Sequence, residues 1–103
     1  MALGPTVANE QRGIRPCLVV SNRRFNSLAI QQAIVVPLTS RDRRLPHHIA
    51  VSDDGGLQRP SWAMCEAVRA VSSQRFGRLV STASHETVIG VSTQLALWLA
   101  ADD

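Results

Sequence analysis

The chain has 103 residues, of which 45% are hydrophobic and 18% charged, and its net charge is +3. This length predicts one domain, residues 1–103, with one modest core, and the composition excludes a wholly disordered chain. No apolar run approaches membrane-spanning length and no signal peptide opens the chain. All 11 basic residues are arginine, which favours a polyanionic partner.

The first half of the chain predicts two strands joined by polar connections. Residues 1–15 are predicted to form a loop, because glycine and proline interrupt them. An apolar run at Pro16–Ser21 predicts a strand buried on both faces. A second run, rich in Ile and Val, begins at Leu28 or Ile30 and ends at Leu38. Polar connections are predicted at residues 22–27 and 39–46.

The second half predicts several short strands and one turn. The strands are placed at residues 47–52, 61–66, 68–72 and 78–81. The sequence Asp53-Asp54-Gly55-Gly56 is a turn signal.

From about Ser84 the apolar pattern takes the period of a helix. The predicted apolar face consists of Val88, Val91, Leu95, Trp98 and Leu99. Ser84 is the predicted N-cap, and Glu86 lies in the first turn, where the helix dipole favours a carboxylate. Many short strands followed by one helix indicate a mostly β fold, a small, strongly bent barrel with the C-terminal helix packed on it.

One polar segment meets the first predicted strand at an arginine. Residues 10–22 run from a glycine-containing loop into the apolar strand, and Arg15 lies immediately before Pro16. The residue before a proline is restricted to extended geometry, so Arg15 is expected at the mouth of the strand with its guanidinium free. A fixed cation over a cleft suits a site that handles phosphate.

Three segments resemble the signature motifs of the MazF/PemK toxin family. They are Leu3–Pro16 (LGPTVANEQRGIRP), Val36–Ser40 (VPLTS) and Glu66–Phe76 (EAVRAVSSQRF). The motifs follow the order of the family and the match spans nearly the whole chain. Members of this family are sequence-specific endoribonucleases of type II toxin–antitoxin pairs, so the resemblance implies an SH3-like barrel and that activity.

The start of the chain departs from the family pattern. Family members usually carry a whole first strand before the position of Leu3, whereas only Met1 and Ala2 precede it here. A truncated chain, a misassigned start and a lost strand are the three interpretations. A barrel without that strand is expected to have an unpaired edge, which affects stability and dimerisation.

The resemblance implies that Arg15 and Thr39 are the catalytic pair of a metal-independent cleavage. The 2′-hydroxyl of RNA attacks the phosphorus and leaves a 2′,3′-cyclic phosphate and a 5′-hydroxyl. Because Arg15 stays cationic, its expected role is to stabilise the charge of the phosphorane. Glu10, in the same loop, is the candidate general base. Some family members have a histidine before this position, but Asn9 cannot shuttle protons.

A further set of residues is assigned to RNA binding. Ser40 and the arginines next to Thr39 are expected to contact phosphates. Phe25 either stacks on a base or plugs the barrel end. Glu66 matches the acidic residue that reads bases in the family, while the glutamine beside it is Ala67 here. The full set is Asn9, Gln11, Phe25, Ser40, Arg41, Arg43, Arg44 and Glu66.

No metal and no cofactor are expected, because no His/Asp/Glu cluster has metal-ligand spacing. His47 and His48 are adjacent on a predicted strand, where neighbours point to opposite faces, so they are expected not to converge on one phosphate. Cys17 and Cys65 lie in apolar runs without zinc spacing. They indicate buried, reduced thiols in a cytoplasmic protein.

The resemblance also implies the partners. A homodimer is expected to bind single-stranded RNA, either mRNA or alternatively tRNA or rRNA, in a groove between protomers. The C-terminal segment of a cognate antitoxin is expected to occupy the same groove and compete with RNA.

Two alternatives stay open. One is a toxin of the same fold that acts on DNA gyrase by protein contact, and the other is a catalytically inactive homologue that binds RNA or the antitoxin. The intact Arg15-Pro16 and Pro37–Ser40 elements favour the ribonuclease, whereas the missing first strand, Asn9 and Ala67 make the inactive homologue credible.

Overall fold

The computed structural model describes residues 6–10 and 15–99, with Glu10 described by its backbone. This part of the chain forms one sheet of seven strands with helices on it. The strands are β1 (Thr6–Glu10), β2 (Pro16–Val19), β3 (Gln32–Thr39), β4 (His48–Ala50), β5 (Trp62–Met64), β6 (Arg69–Ser72) and β7 (Phe76–Thr82). The α-helices are α1 (Arg23–Asn26) and α2 (His85–Leu99), and 3₁₀ turns occupy Cys65–Ala67 and Ser73–Arg75.

The sheet is antiparallel and is organised around β3. The strand order is β4-β5-β3-β2-β1-β7, and β6 also pairs with β3. One edge of β3 pairs with β2, whereas the other pairs first with β6 and then, from Leu38, with β5. An isolated bridge between Asp53 and Ala83 joins the chain after β4 to the chain after β7. The bridge brings the two ends of the strand order together, as the predicted barrel requires.

Two apolar clusters cover the two faces of the central strands. Successive side chains on a strand point to opposite faces, so β2 and β3 contribute to both clusters. The cluster beneath α2 contains Val7, Leu18, Val36, Leu38, Ala63, Cys65, Ala83 and Val91. The other contains Cys17, Val19, Ala33, Val35 and Val71. The predicted burial of the first apolar run on both faces is therefore confirmed.

The prediction of a loop over residues 1–15 is wrong for Thr6–Glu10. These residues form β1, which pairs with β2 on one edge and β7 on the other, and Val7 is fully buried. The β-branched residues Thr6 and Val7 favour a strand here. The prediction of a loop gave too much weight to the glycines and proline on either side. The strand discussed above would precede Leu3, which lies outside the described residues.

The polar connection over residues 22–27 contains a single helical turn instead of a loop. Asn22 caps α1, because its side chain accepts a hydrogen bond from the N–H of Phe25 at 3.0 Å. Asparagine is a favoured residue at the N-cap of a helix. A single turn, however, is too short for its apolar residues to show the period of a helix.

The C-terminal helix begins as predicted. The Ser84 hydroxyl accepts a hydrogen bond from the N–H of Thr87 at 3.2 Å, which confirms the cap. Val91 is buried and Leu95 is half-buried, whereas Leu99 is 82% exposed. The predicted apolar face is therefore correct up to Leu95. The last turn extends beyond the part of the sheet that the helix covers. Within residues 6–10 and 15–99, no helix is long and apolar enough to cross a membrane.

Both thiols are expected to be unreactive in the folded protein. Cys17 and Cys65 are at most 1% exposed, and burial, together with the negative charge of Glu66, raises the pKa of the Cys65 thiol to about 11. Since the thiolate is the reactive form, a colorimetric thiol reagent at neutral pH should react slowly with native protein. The same reagent should titrate two thiols in denaturant. Rapid reaction of the native protein would contradict the described core.

Candidate nucleic-acid interface

A cleft of about 660 Å³ opens where β2 begins and β3 ends. Antiparallel pairing places these two ends at the same edge, since Cys17 is opposite Pro37 and Val19 is opposite Val35. Arg15 immediately precedes β2, and Thr39 is the last residue of β3. Both residues line the cleft, so residues that are distant in sequence meet through the register of two strands.

Arg15 and Thr39 present complementary groups to the cleft. Arg15 is exposed and is held next to Pro16 at the start of β2. Thr39 is half-buried, and its hydroxyl oxygen accepts a hydrogen bond from the N–H of Arg41 at 3.1 Å. A hydroxyl has one donor and two acceptor sites, so its O–H remains available to a ligand while its oxygen is anchored.

The basic loop after β3 is ordered by short-range hydrogen bonds. Thr39 Oγ1 accepts a hydrogen bond from the N–H of Arg41, and Asp42 Oδ1 accepts one from the N–H of Arg44 at 2.9 Å. Such bonds from a side chain to the backbone two residues later stabilise turns. Arg43 lines the cleft. Arg41 and Arg44 are exposed on the same loop and do not line it.

The opposite wall comes from a segment that the sequence analysis treated only as a connection. Leu57, Gln58 and Arg59 line the cleft, followed by Ser61. Asp53 holds this segment by accepting the N–H of Leu57 at 2.9 Å. The Ser81 hydroxyl and backbone N–H groups hold the pKa of Asp53 below its ordinary value. The bridge between Asp53 and Ala83, which are distant in sequence, sets the position of this segment. The local sequence pattern therefore did not indicate that the segment lines the cleft.

A second cleft of about 500 Å³ adjoins the first. The two share Pro16, Leu57 and Gln58, and the second adds Asn9 and Arg78. We call the two clefts together the arginine groove. Its described lining residues include no Asp or Glu. Its cations are Arg15, Arg43, Arg59 and Arg78.

The arginine groove gathers only part of the predicted site. Ser40 lies in the first cleft. Phe25 is half-buried on α1. The residue Ser21, which precedes that helix, accepts a hydrogen bond from the N–H of Ile34 near the start of β3. The groove lies at the other end of β3, and Phe25 does not line it. Gln11 lies outside the described residues, as does the side chain of Glu10.

The prediction that His47 and His48 diverge is wrong. His48 Nε2 lies 3.0 Å from each carboxylate oxygen of Glu66, and His47 Nε2 lies 3.4 Å from one of them. Because β4 begins at His48, His47 belongs to the preceding turn and strand alternation does not apply to it. These three residues also place ligand atoms within 4.8 Å of one another, a proximity that their spacing in the sequence did not indicate.

Glu66 therefore lies in this cluster and not in the lining of the groove. Partial burial alone would raise the pKa of its carboxyl, but the hydrogen bond from His48 and the charges of both histidines hold that pKa below its ordinary value. The sequence gave no sign of the contact, because Glu66 reaches His48 through the pairing of β4 with β5 and the 3₁₀ turn that follows β5.

The antiparallel sheet and the arginine groove define a small, mostly β protein with one C-terminal helix and a basic groove. The family model for the PemK-like, MazF-like toxin of type II toxin–antitoxin systems matches residues 1–99. The chain is 31% identical over 105 residues to endoribonuclease EndoA of Bacillus subtilis (strain 168), covering 98% of this chain and 89% of that protein. It is 31% identical over 102 residues to endoribonuclease PemK of Escherichia coli, covering 92% and 76%.

Solved structures share the fold. An endoribonuclease in complex with its cognate antitoxin, from a mycobacterial species, has a TM-score of 0.81 at 22% identity, covering 99% of this chain and 100% of that one. A MazE–MazF structure from Deinococcus radiodurans has a TM-score of 0.78 at 19% identity, covering 93% of each chain. The chain belongs to the family of PemK-like, MazF-like toxins of type II toxin–antitoxin systems, and the predicted fold class is confirmed.

Gly56 is expected to tolerate no side chain. A Cβ there would lie 2.0 Å from the Val80 carbonyl oxygen and 2.6 Å from Ser81 Cβ, so the backbone would have to move. We expect Gly56→Ala to lower the free energy of unfolding by about 1–3 kcal/mol, measured by denaturant unfolding. Gly90→Ala is the control, because its Cβ would meet only the Ile49 side chain, at 3.1 Å, and alanine favours a helix. Equal losses would contradict this packing.

Proposed function

We propose that the protein is the ribonuclease toxin of a type II toxin–antitoxin pair and cuts single-stranded RNA in the arginine groove. The observation that carries the proposal is that Arg15 and Thr39 line one cleft. The curated relatives EndoA and PemK are named endoribonucleases, which supports the same activity here. The whole chain, residues 1–103, is proposed to act as one domain in the cytoplasm.

The groove suits a polynucleotide better than a small anion. Four arginines line it, and apolar side chains lie between them, among them Pro16, Leu38, Leu57 and Met64. Arginine binds phosphate through a planar pair of donors, while apolar surface packs against ribose and base. Two adjoining clefts give room for more than one nucleotide, with Arg78 at one end.

The reaction is a transfer within the RNA. The 2′-hydroxyl oxygen bonds to the adjacent phosphorus while its proton passes to a base. The bond from phosphorus to the 5′-oxygen of the next nucleotide breaks, and that oxygen takes a proton from solvent water. The Arg15 guanidinium stabilises the added negative charge of the phosphorane. Thr39 and Ser40 donate hydroxyl hydrogen bonds to the phosphate oxygens.

Glu10 is the proposed general base on the grounds of backbone register. β1 pairs with β2 through Val7 opposite Leu18 and Asn9 opposite Pro16. If this register continued by one more step, the backbone of Glu10 would lie opposite that of Arg15, which supports the proposal. Glu10, Arg15 and Thr39 would then occupy neighbouring positions on three adjacent strands, which are about 4.8 Å apart. A carboxylate at that position is suited to accept the proton of the 2′-hydroxyl.

The proposed partners follow from the same groove. Solved structures of the fold include complexes of a toxin with its antitoxin. We propose that the C-terminal segment of a cognate antitoxin enters the arginine groove and that the toxin acts as a homodimer. An acidic peptide would pair with the arginines of the groove and exclude RNA. Asn9, Gln11, Phe25, Arg41, Arg44 and Glu66 stay predictions as RNA contacts.

Removing either catalytic group should abolish most of the activity. We expect Arg15→Ala and Thr39→Ala each to lower the rate of RNA cleavage at least about a hundredfold, the effect of losing one donor that stabilises charge. The measurement is cleavage of a long single-stranded RNA in the presence of a chelator, with 5′-hydroxyl ends as product. Arg24→Ala is the matched control, because Arg24 is exposed on α1 and does not line the groove.

Three outcomes would contradict the proposal. Equal cleavage by all variants would indicate a contaminating nuclease. Cleavage only after magnesium is added would exclude the metal-independent mechanism. No cleavage by the wild type, together with inhibition of DNA gyrase, would favour the alternative toxin.

A further inference from the structure

A cluster of imidazole and carboxylate groups lies outside the lining of the arginine groove. It consists of His47, His48 and Glu66, which we call the histidine cluster. We propose that the histidine cluster binds one divalent transition-metal ion, such as Zn²⁺, through His47 Nε2, His48 Nε2 and the Glu66 carboxylate. Two histidines and one glutamate form a common ligand set for zinc that keeps a fourth position open.

The distances between the ligand atoms fit a single ion. Ligands about 2.0–2.1 Å from a tetrahedral zinc lie about 3.3 Å from one another. His47 Nε2 is 3.4 Å from Glu66 Oε1, and His48 Nε2 is 3.0 Å from both carboxylate oxygens. All three ligand atoms lie within 4.8 Å of one another. Small rotations of the two more exposed side chains, those of His47 and Glu66, therefore suffice to surround an ion.

Three elements hold the ligands in place. His48 is on β4 opposite Met64 of β5, and Glu66 follows β5 in a 3₁₀ turn. The ring of His47 packs edge-on against that of His48 at 5.0 Å, and the ring of Trp98 from α2 lies 5.6 Å from His47. Packing on both sides restricts the His47 ring, which lowers the entropic cost of ligation.

Exposure increases across the histidine cluster from one ligand to the next. The side chain of His48 is 1% exposed, that of His47 is 28% exposed and that of Glu66 is 47% exposed. An ion held here would be bound by the buried His48 on one side and would be open to solvent on the side of Glu66. The buried His48 Nδ1 has no hydrogen-bond partner among the described residues. Because such a partner usually strengthens ligation, we expect an exchangeable ion and not a permanently bound one.

The experiment is a titration of the untagged full chain with Co²⁺, followed by visible absorption, and with Zn²⁺, followed by calorimetry. We expect one equivalent to bind with the absorption of nitrogen and oxygen ligands and without a thiolate band, since both cysteines are buried. His47→Gln and Glu66→Gln should each weaken binding at least about tenfold. Both positions are partly exposed, so the variants should fold, which circular dichroism checks.

His85→Gln is the matched control, because it removes the third histidine of the chain from an exposed position at the start of α2 and should leave binding unchanged. Absence of saturable binding in the wild type would overturn the proposal, and so would equal affinity in the two cluster variants and the wild type. The titration needs no RNA. A protein that binds the ion but does not cut RNA would contradict the proposed function and leave this site intact.

Discussion

The register of β2 against β3 is the constraint on which the groove depends. Cys17 opposite Pro37 fixes the two strands so that the start of one lies beside the end of the other. Arg15 and Thr39 then line one cleft, although 23 residues separate them in sequence. A slip of one residue would turn one of the two side chains to the other face of the sheet. Both faces of β2 and β3 are buried, so such a slip would also exchange side chains between the two apolar clusters.

Burial of the central strands thus supports the chemistry directly. Side chains such as Leu18 and Val36 are fully buried on one face, and Val19 and Val35 on the other. The groove forms where these strands emerge into solvent. Its walls are loops tied to the sheet, one by Thr39 and the other by Asp53. The cleft that Arg15 and Thr39 line is therefore bounded by elements that pack on the core.

The parts of the site that could be predicted are those that local sequence marks. Pro16 fixes the start of a strand, and the motif ending at Ser40 marks the end of another, so the sequence could single out Arg15 and Thr39, which line one cleft. Arg59 and Arg78 were missed because a bridge and a β-pairing between distant residues place them. The error at His47 and His48 came from a strand boundary misplaced by one residue, and a single residue is enough to change the face of a side chain.

A double-mutant cycle tests most directly whether Arg15 and Thr39 act on the same phosphate. Cleavage rates are measured for the wild type, Arg15→Ala, Thr39→Ala and the double variant. Groups that act as a unit have strongly non-additive effects. The account predicts that the double variant loses much less activity than the product of the two single losses. A loss equal to that product would show that the two groups act independently and would contradict a shared phosphate site.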